Sequence, residues 1–496
     1  MNAPAPISLR DLLAGVAGVP ALAERAIAGL ASDSRQVRPG DLFLATRGLH
    51  HHGLEVLEAV RAAGAAAVAG EPPYAGGIEA GAEPPLLAVE NLGHQLGAIA
   101  GRFYGEPSLD LKVVGITGTD GKTSCAHFIA QALDPGECGV LGTLGYGMPG
   151  RLRAASHTTP DALTLQCQMA EFRDQGAKVV AMEVSSHALA QRRVEGLRFA
   201  VAILTNLTRD HLDYHGDLAA YAAAKRRLFL DHQPCHAVLN LDDAFGRELA
   251  ADLAGRTNVV GYGLRARPVD GPDAWVGGSD LELYPAGLRL RVVSSWGEGV
   301  LHAGLLGRFN ASNLLAALAA LLVLNVPFAE ALQRLSGVVT VPGRMERFGG
   351  GAGQPLAVVD YAHTPHALEQ VLRALREHVQ GRLWCIFGCG GDRDPGKRPL
   401  MGSCVERYAD KVVVTDDNPR TEDPERIVLA ILEGMQRPQQ AAVVRTRGQA
   451  ISSALAEAGE GDIVLIAGKG HENYQLLGTE RLPFSDREVV RQWFGE

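Results

Sequence analysis

From residue 111 onward, short apolar runs rich in β-branched residues alternate with stretches of helical period. "KVVGIT" (112–117), "AKVVAMEV" (177–184), "FAVAILTN" (199–206) and "HAVLN" (236–240) are apolar at nearly every position, which predicts strands covered on both faces. Helices are predicted near 122–133, 163–175 and 218–230. Such alternation specifies a parallel sheet wrapped by helices. A second series begins near 356 with "LAVVDYA", "LWCIFG", "KVVVTDD", "AAVVRT" and "DIVLIAG". Between the two, residues 281–307 alternate as antiparallel strands do, and "NASNLLAALAALLVL" (310–324) reads as a buried helix with an Asn-rich start. Before 107 the strands are weaker: "GDLFLAT" (40–46) and "AAAVAG" (65–70). The expectation is three α/β domains, 1–107, 108–342 and 343–496, with the antiparallel segment and buried helix in the second.

A chain of 496 residues is too long for one compact core, in keeping with that division. A net charge of −9 disfavours a nucleic-acid partner, since neutralising a phosphate backbone needs clustered Lys and Arg in excess. The seven cysteines (125, 138, 167, 235, 385, 389, 404) show neither zinc spacing nor the even number of a secreted disulfide framework. No basic segment precedes the first apolar residues, and Pro20, Glu24 and Arg25 interrupt them, so neither a signal peptide nor a membrane association is expected, and the predicted location is cytoplasmic. Three histidines at 50–52 read as a solvated turn rather than a metal site.

The chemistry concentrates where strands end. "GITGTDGKTS" (115–124) follows an apolar strand and precedes a helix, the setting in which backbone N–H groups and a helix N-terminus face a phosphate. Gly118, Thr119, Asp120 and Gly121 would form the cradle, Lys122 would reach the terminal phosphates, and the Thr123 or Ser124 hydroxyl would approach Mg²⁺. The stretch is not a strict Walker A motif, because Ile116 stands at the expected first glycine. "MEVSSH" (182–187) ends the next strand with Glu183, from which a carboxylate can reach a neighbouring loop as a magnesium ligand. In "TNLTRDHLDYHG" (205–216), His211, Asp213 and His215 would suit a zinc site, a turn that satisfies backbone groups, or a single histidine assisting magnesium.

Taken in order, "GITGTDGKTS", "MEVSSHAL", "TNLTRDHLDYHG", "GRFNASN", "VPGRME", "VVDYAHTP", "FGCGGDRDPGKRPLM", "TDDNPRTEDP" and "AGKGHENYQ" resemble the Mur ligases, the ATP-dependent amide-forming enzymes of peptidoglycan precursor synthesis. "SDSRQVRPGDLF" (32–43) extends the likeness to almost the whole chain. The resemblance implies a small N-terminal α/β unit that binds a UDP-linked substrate, a central P-loop-type parallel-sheet ATPase domain and a C-terminal Rossmann-like α/β domain that binds an amino acid. It also implies that ATP, a co-substrate, phosphorylates the D-glutamyl γ-carboxylate of UDP-N-acetylmuramoyl-L-Ala-D-Glu, and that an amine of meso-diaminopimelate then displaces phosphate. Lys122 and Mg²⁺ would offset the repulsion between triphosphate and carboxylate.

By matching motif, Thr123, Glu183, His211 and Lys225 belong around magnesium, with Lys225 in "YAAAKRRLF" carboxylated by CO₂. Asn310, Asn313 and Arg344 belong near the nucleotide, although Asn310 could equally cap a helix. Ser32, Ser34, His157, Thr158, Thr159, Ser185, Gln191 and Arg193 match positions that hold the UDP substrate. Arg393, Asp417, Asn418, Pro419, Arg420, Gly468 and Glu472 match the diaminopimelate pocket. Arg420 in "DDNPR" decides the amino acid, because a guanidinium grips the second carboxylate that lysine lacks. Two positions depart from the family pattern: Asp120 for asparagine and Asn473 for aspartate. Unit charges 4 Å apart in partly exposed protein repel by about 4 kcal/mol, so the Asp120 carboxylate is expected to turn into the loop and accept backbone hydrogen bonds, or to lie near the metal. The chain is expected to be a monomer. Competing readings are a lysine-adding ligase of the same family, a folylpolyglutamate synthetase-like ligase, a zinc hydrolase on His211, Asp213 and His215, and a non-catalytic nucleotide-binding regulator.

Overall fold

The computed structural model describes residues 5–17, 24–48, 52–73, 83–155, 157–265 and 272–495, and only the backbone of Asp213. The chain divides into two compact units, Met1–Val276 with Ala316–Pro327, and Gly277–Leu315 with Phe328–Glu496.

The first unit opens with a four-stranded parallel sheet, ordered Gly29–Ala31, Asp41–Ala45, Ala67–Gly70 and Leu86–Ala88. The apolar runs at 40–46 and 65–70 supply its two inner strands. Past residue 111 lies a larger sheet, whose strands in this unit run Asn258–Gly263, His236–Asn240, Phe199–Leu204, Lys112–Thr117, Val179–Glu183, Cys138–Gly142 and Gly145–Gly147. All neighbours are parallel except the last pair. Strands buried on both faces need apolar residues throughout, and Val113, Val180, Ala202, Leu204, Ala237 and Leu239 pack into one core with Met169 and Phe172 of the helix Ala162–Asp174.

Within this sheet Lys112–Thr117 lies between Phe199–Leu204 and Val179–Glu183. The chain leaves it toward one edge and returns to build the other, which makes its carboxyl end the switch point where open α/β sheets bind ligands. The phosphate loop occupies that end.

The second unit carries a six-stranded sheet ordered Glu346–Gly349, Leu356–Asp360, Ile463–Ala467, Leu383–Phe387, Lys411–Val414 and Ala442–Val443. Its first pair is antiparallel and the rest are parallel, as the second apolar series predicts. The central strands end at Asp360, Phe387, Val414 and Ala467, so the "DYAHTP", "GCGGDRD", "TDDNPR" and "GKGHEN" segments all follow strand ends. The expected antiparallel segment is present: Gly287–Ser294 pairs with Gly297–Ala303. The buried helix spans Arg308–Val323. No helix among the described residues is long and apolar enough to cross a membrane, and the seven cysteines form no disulfide with one another.

Candidate active site

In the first unit, the loop after Lys112–Thr117 is closed by a glycine and laced from the neighbouring strand. Gly118 has φ +147°, and a Cβ there would lie 1.8 Å from Thr205 Oγ1. Thr205 Oγ1 donates to the Asp120 carbonyl at 2.5 Å, and Asn206 Oδ1 accepts from Asp120 N at 2.9 Å. Gly121, at φ +85°, starts the helix Lys122–Ala132 with no side chain capping it, so first-turn amides are left to face an anion. Lys122 folds back over the loop, with Nζ donating to the carbonyls of Gly118 at 2.9 Å and Thr119 at 2.8 Å.

Thr123 and Glu183 meet as expected. The Thr123 hydroxyl donates to Glu183 Oε1 at 2.9 Å. Thr143 adds two further bonds, N to Oε1 at 2.8 Å and Oγ1 to Oε2 at 3.2 Å, so the nearly buried carboxylate is fixed at both oxygens. Gly142 makes room for it, since a Cβ there would lie 2.1 Å from Oε1. Oxygen donors of this kind suit a hard cation such as Mg²⁺.

Lys225 is buried and donates to the Gly118 carbonyl at 2.8 Å, the same oxygen that receives Lys122. Its Nζ lies 4.3 Å from the centre of the Tyr221 ring. Burial, reinforced by the charge of Lys122, holds the Lys225 amine well below the usual lysine range. The His211 ring meets the other edge of this group, its centroid 6.1 Å from that of Tyr221. His211 takes a left-handed backbone at φ +52°, its Nε2 lies 3.4 Å from Asp210 Oδ2, and its ring packs against His187 at 4.9 Å. Among the described residues it shares no hydrogen bond with Thr123, Glu183 or Lys225.

Asp120 corrects one of its two expectations, that its carboxylate accepts backbone hydrogen bonds within the loop. Its carboxylate is exposed and, among the described residues, accepts no hydrogen bond. The loop is instead held through the Asp120 backbone by Thr205 and Asn206, so the side chain is free to turn to water. Ser124 lies in the first turn of the helix, half-buried.

Five of the residues matched to the UDP substrate, Thr158, Thr159, Ser185, Gln191 and Arg193, form one connected group. Thr159 Oγ1 donates to the Glu183 carbonyl at 2.8 Å and accepts from Ser185 N at 3.1 Å. Arg193 donates to the Thr159 carbonyl at 2.8 Å and, through Nε and Nη2, to Gln191 Oε1. Gln191 Nε2 in turn donates to the Tyr214 hydroxyl at 3.1 Å. Thr158 Oγ1 lies 3.0 Å from Thr143 Oγ1, which ties this group to Glu183. His157 is exposed. Ser32 and Ser34 stand after the first N-terminal strand and, among the described residues, form no hydrogen bond with the group.

The zinc reading of His211, Asp213 and His215 rests in part on a side chain outside the described residues, and the turn expected at 50–52 is described only at His52. Among the described residues no three His, Cys, Asp or Glu side chains are placed to hold a metal ion. His215 Nε2 lies 3.0 Å from Ser186 Oγ, and the Asp213 side chain lies outside the described residues. His52 caps a short turn, with Nδ1 accepting from Leu54 N and Nε2 2.8 Å from the Glu71 carbonyl, while His50 and His51 also lie outside.

In the second unit, Asn310 is the third residue of its helix rather than the cap, and its Nδ2 donates to the Leu306 carbonyl at 2.8 Å. Asn313 Nδ2 donates to Asn310 Oδ1 at 3.3 Å. The Arg344 guanidinium lies 4.8 Å from the Tyr361 ring centre. Beside it, Asp360 accepts from Met345 N and Ala362 N, and burial raises its carboxyl above the ordinary range.

The residues matched to an amino-acid pocket lie on segments 390–393, 416–420 and 468–472, which meet one another. Arg420 is left-handed at φ +53°, and its Nη1 donates to the Gly391 carbonyl at 2.7 Å. Arg393 lies against Gly390 with Arg420, is exposed, and has no hydrogen-bond or ion-pair partner among the described residues. Asn418 Nδ2 donates to Glu472 Oε2 at 3.0 Å. Asp417 stands next to Gly468, and Pro419 packs its carbonyl against Gly391. Residue type alone does not single out Thr143, Asn206 or Lys469. Asn206 and Lys469 lie within segments that carry the family resemblance, Thr143 lies in none, and each has one partner 40 or more positions away.

Comparison with known proteins identifies the family. Three family models match: "Mur ligase family, catalytic domain" over residues 26–104, "Mur ligase middle domain" over 116–321 and "Mur ligase, glutamate ligase domain" over 343–470. The UDP-N-acetylmuramoyl-L-alanyl-D-glutamate–2,6-diaminopimelate ligase of Alkalilimnicola ehrlichii is 53% identical, over 95% of this chain and 96% of the relative. Its namesake in Pseudomonas aeruginosa is 50% identical, over 93% of this chain and 94% of the relative. A solved structure of a ligase with that name superposes with a TM-score of 0.76 at 36% identity and covers 99% of each chain. A phosphate loop at the switch point, a threonine-bound Glu183 and an Arg420 pocket thus occur in a chain alike over nearly its full length, and the chain belongs to the Mur ligase family, with that family's three-domain α/β fold.

Proposed function

We propose that this chain is an ATP-dependent ligase that adds meso-diaminopimelate to the γ-carboxyl of D-Glu in UDP-N-acetylmuramoyl-L-Ala-D-Glu, releasing ADP and phosphate. The observation that carries this assignment is identity near one half, over nearly the whole length, to relatives named for that reaction. The pocket supports it. Arg420 and Arg393 supply guanidinium groups for a distal carboxylate, and Glu472 supplies an acceptor for the accompanying ammonium. Lysine offers no distal carboxylate, which leaves the lysine-adding alternative without a partner for that guanidinium pair.

In the reaction, the substrate carboxylate oxygen attacks the γ-phosphorus of ATP and ADP leaves. The diamine nitrogen then attacks the acyl carbon, loses a proton and expels phosphate. Lys122 and the open amides at the helix start bind the phosphates, and the Thr159, Arg193 and Gln191 network orients the muramoyl-peptide. Thr123, Glu183, His211 and Lys225 would hold Mg²⁺, which when bound offsets charge where the two anions meet. Carboxylation of Lys225 belongs to the same proposal. Its buried, readily neutral amine can attack CO₂ and, with loss of a proton, become a carbamate whose negative charge suits the metal. Incubation with ¹³C-bicarbonate is expected to give a carbamate NMR signal that Lys225→Met abolishes.

Residues 1–107, 108–342 and 343–496 would bind UDP substrate, ATP and amino acid, a division supported by the three spans that the family models match. We further infer that the chain acts as a monomer in the cytoplasm, in peptidoglycan precursor synthesis. The deciding experiment supplies meso-diaminopimelate and lysine in competition and weighs the product by mass spectrometry. A diaminopimelate adduct is expected, and a lysine adduct or none overturns the assignment.

A further inference from the structure

Lys469 has 0% of its surface exposed, yet every polar group around it belongs to the amino-acid pocket. Its Nζ donates to Asn418 Oδ1 at 3.0 Å and to Glu472 Oε2 at 3.2 Å, and lies 3.9 Å from Asp417 Oδ1. The Tyr474 ring lies 5.6 Å away. Burying a lysine charge is costly unless partners surround it, so this arrangement demands a return. Solvent does not reach Lys469, and neither would a ligand, so any effect on substrate passes through its neighbours.

Those neighbours are fixed in a specific sense. Asn418 Oδ1 is occupied twice, by Lys469 and by Leu476 N at 3.0 Å, which turns the amide Nδ2 toward Glu472 Oε2 at 3.0 Å. Lysine and asparagine therefore load the same carboxylate oxygen. Among the described residues Glu472 Oε1 accepts no hydrogen bond. The chain of contacts continues to the arginine: the Leu476 carbonyl accepts from Arg420 N at 3.1 Å, and the Arg420 carbonyl accepts from Gly478 N at 2.7 Å. These bonds hold Arg420 in its left-handed backbone.

We propose that Lys469 is a positioning residue for the amino-acid substrate: by fixing the Asn418 amide and one oxygen of Glu472, it presents the other oxygen to the ammonium of a zwitterionic amino-acid terminus whose carboxylate pairs with the guanidinium groups of Arg420 and Arg393. This proposal rests on the diaminopimelate assignment above. It adds that selectivity depends on a side chain that never touches the ligand.

Lys469→Met, close in length but without charge or donor, tests the role in the full-length enzyme with each substrate varied in turn. The KM for meso-diaminopimelate is expected to rise by about tenfold or more, as loss of hydrogen bonds to a charged group implies. The KM values for ATP and the UDP substrate should stay within about twofold, and the preference for diaminopimelate over lysine should narrow. Asn418→Ala should give the same selective defect, with the double variant no worse than the worse single. Equal losses toward all substrates, an unchanged preference ratio or additive effects would overturn the role. If Lys469→Met does not fold, Lys469→Gln is assayed in the same way, and failure of both to fold marks Lys469 as structural and overturns the proposal. A wild-type enzyme that forms no diaminopimelate adduct refutes the substrate assignment itself, whereas a wild-type adduct with an unaffected variant refutes only the positioning role.

Discussion

At the phosphate loop, the groups that face a ligand are amides, a lysine and a threonine carried on one stretch, 115–124. The pocket around Arg420 instead draws on three segments, 390–393, 416–420 and 468–472, and joins them through side chains. Backbone amides, one lysine and a hydroxyl suffice for a triphosphate, which is recognised by its charge and its phosphate oxygens. Telling one diamine from another needs a guanidinium at a fixed position, and Arg420 is fixed by a left-handed backbone bonded at both its N–H and carbonyl and by a bond from its Nη1 to the Gly391 carbonyl. The first region is expected to fail in rate when damaged, the second in choice of substrate.

The sharpest way to break that contrast is Lys122→Met. Loss of a cation aimed at the transferring phosphate should lower kcat by about 10²–10³-fold and leave the diaminopimelate-to-lysine ratio unchanged, measured by ADP release with each amino acid. Arg420→Lys should do the reverse. A guanidinium pair lost in a half-buried pocket costs about 2–4 kcal/mol, so selectivity in kcat/KM should fall by about 30- to 900-fold while ATP affinity holds. Thr143→Val keeps the backbone bond to Glu183 but removes the hydroxyl bond, and a drop of about tenfold in kcat is expected, with a raised magnesium requirement in activity titrations. Asp120→Asn is the smallest. With an exposed carboxylate that accepts no hydrogen bond among the described residues, it should change ATP turnover by less than about threefold, or improve it slightly by removing repulsion. A large loss there would give the acid a positive part in the loop.

The same contrast governs what the amino-acid sequence discloses. Strands 112–117, 236–240 and the helix 218–230 fall where hydrophobic pattern alone places them, because each is apolar enough to show its period. Cys138–Gly142 escapes that reading although it lies inside the sheet. Its glycines are dictated by neighbours distant in the chain, with a Cβ at Gly139 lying 2.4 Å from the Phe172 ring. Within the site, Lys122, Thr123 and Glu183 declare themselves by residue type and by position at strand ends. The pocket residues do not: Arg420, Asn418 and Glu472 acquire meaning only through the family resemblance, and Lys469 only through its burial. Lys225 stands out as a site residue through the resemblance alone, since a Lys-Arg-Arg run ordinarily marks a solvated helix face, and its burial comes from packing beneath the phosphate loop.

Gly142 works by the space it leaves vacant. A methyl group at that position would displace the Glu183 carboxylate without altering a single charged or polar side chain. Inactive variants mapped to residue 142 would therefore look like harmless packing changes on paper, while their lesion would lie in the reaction centre.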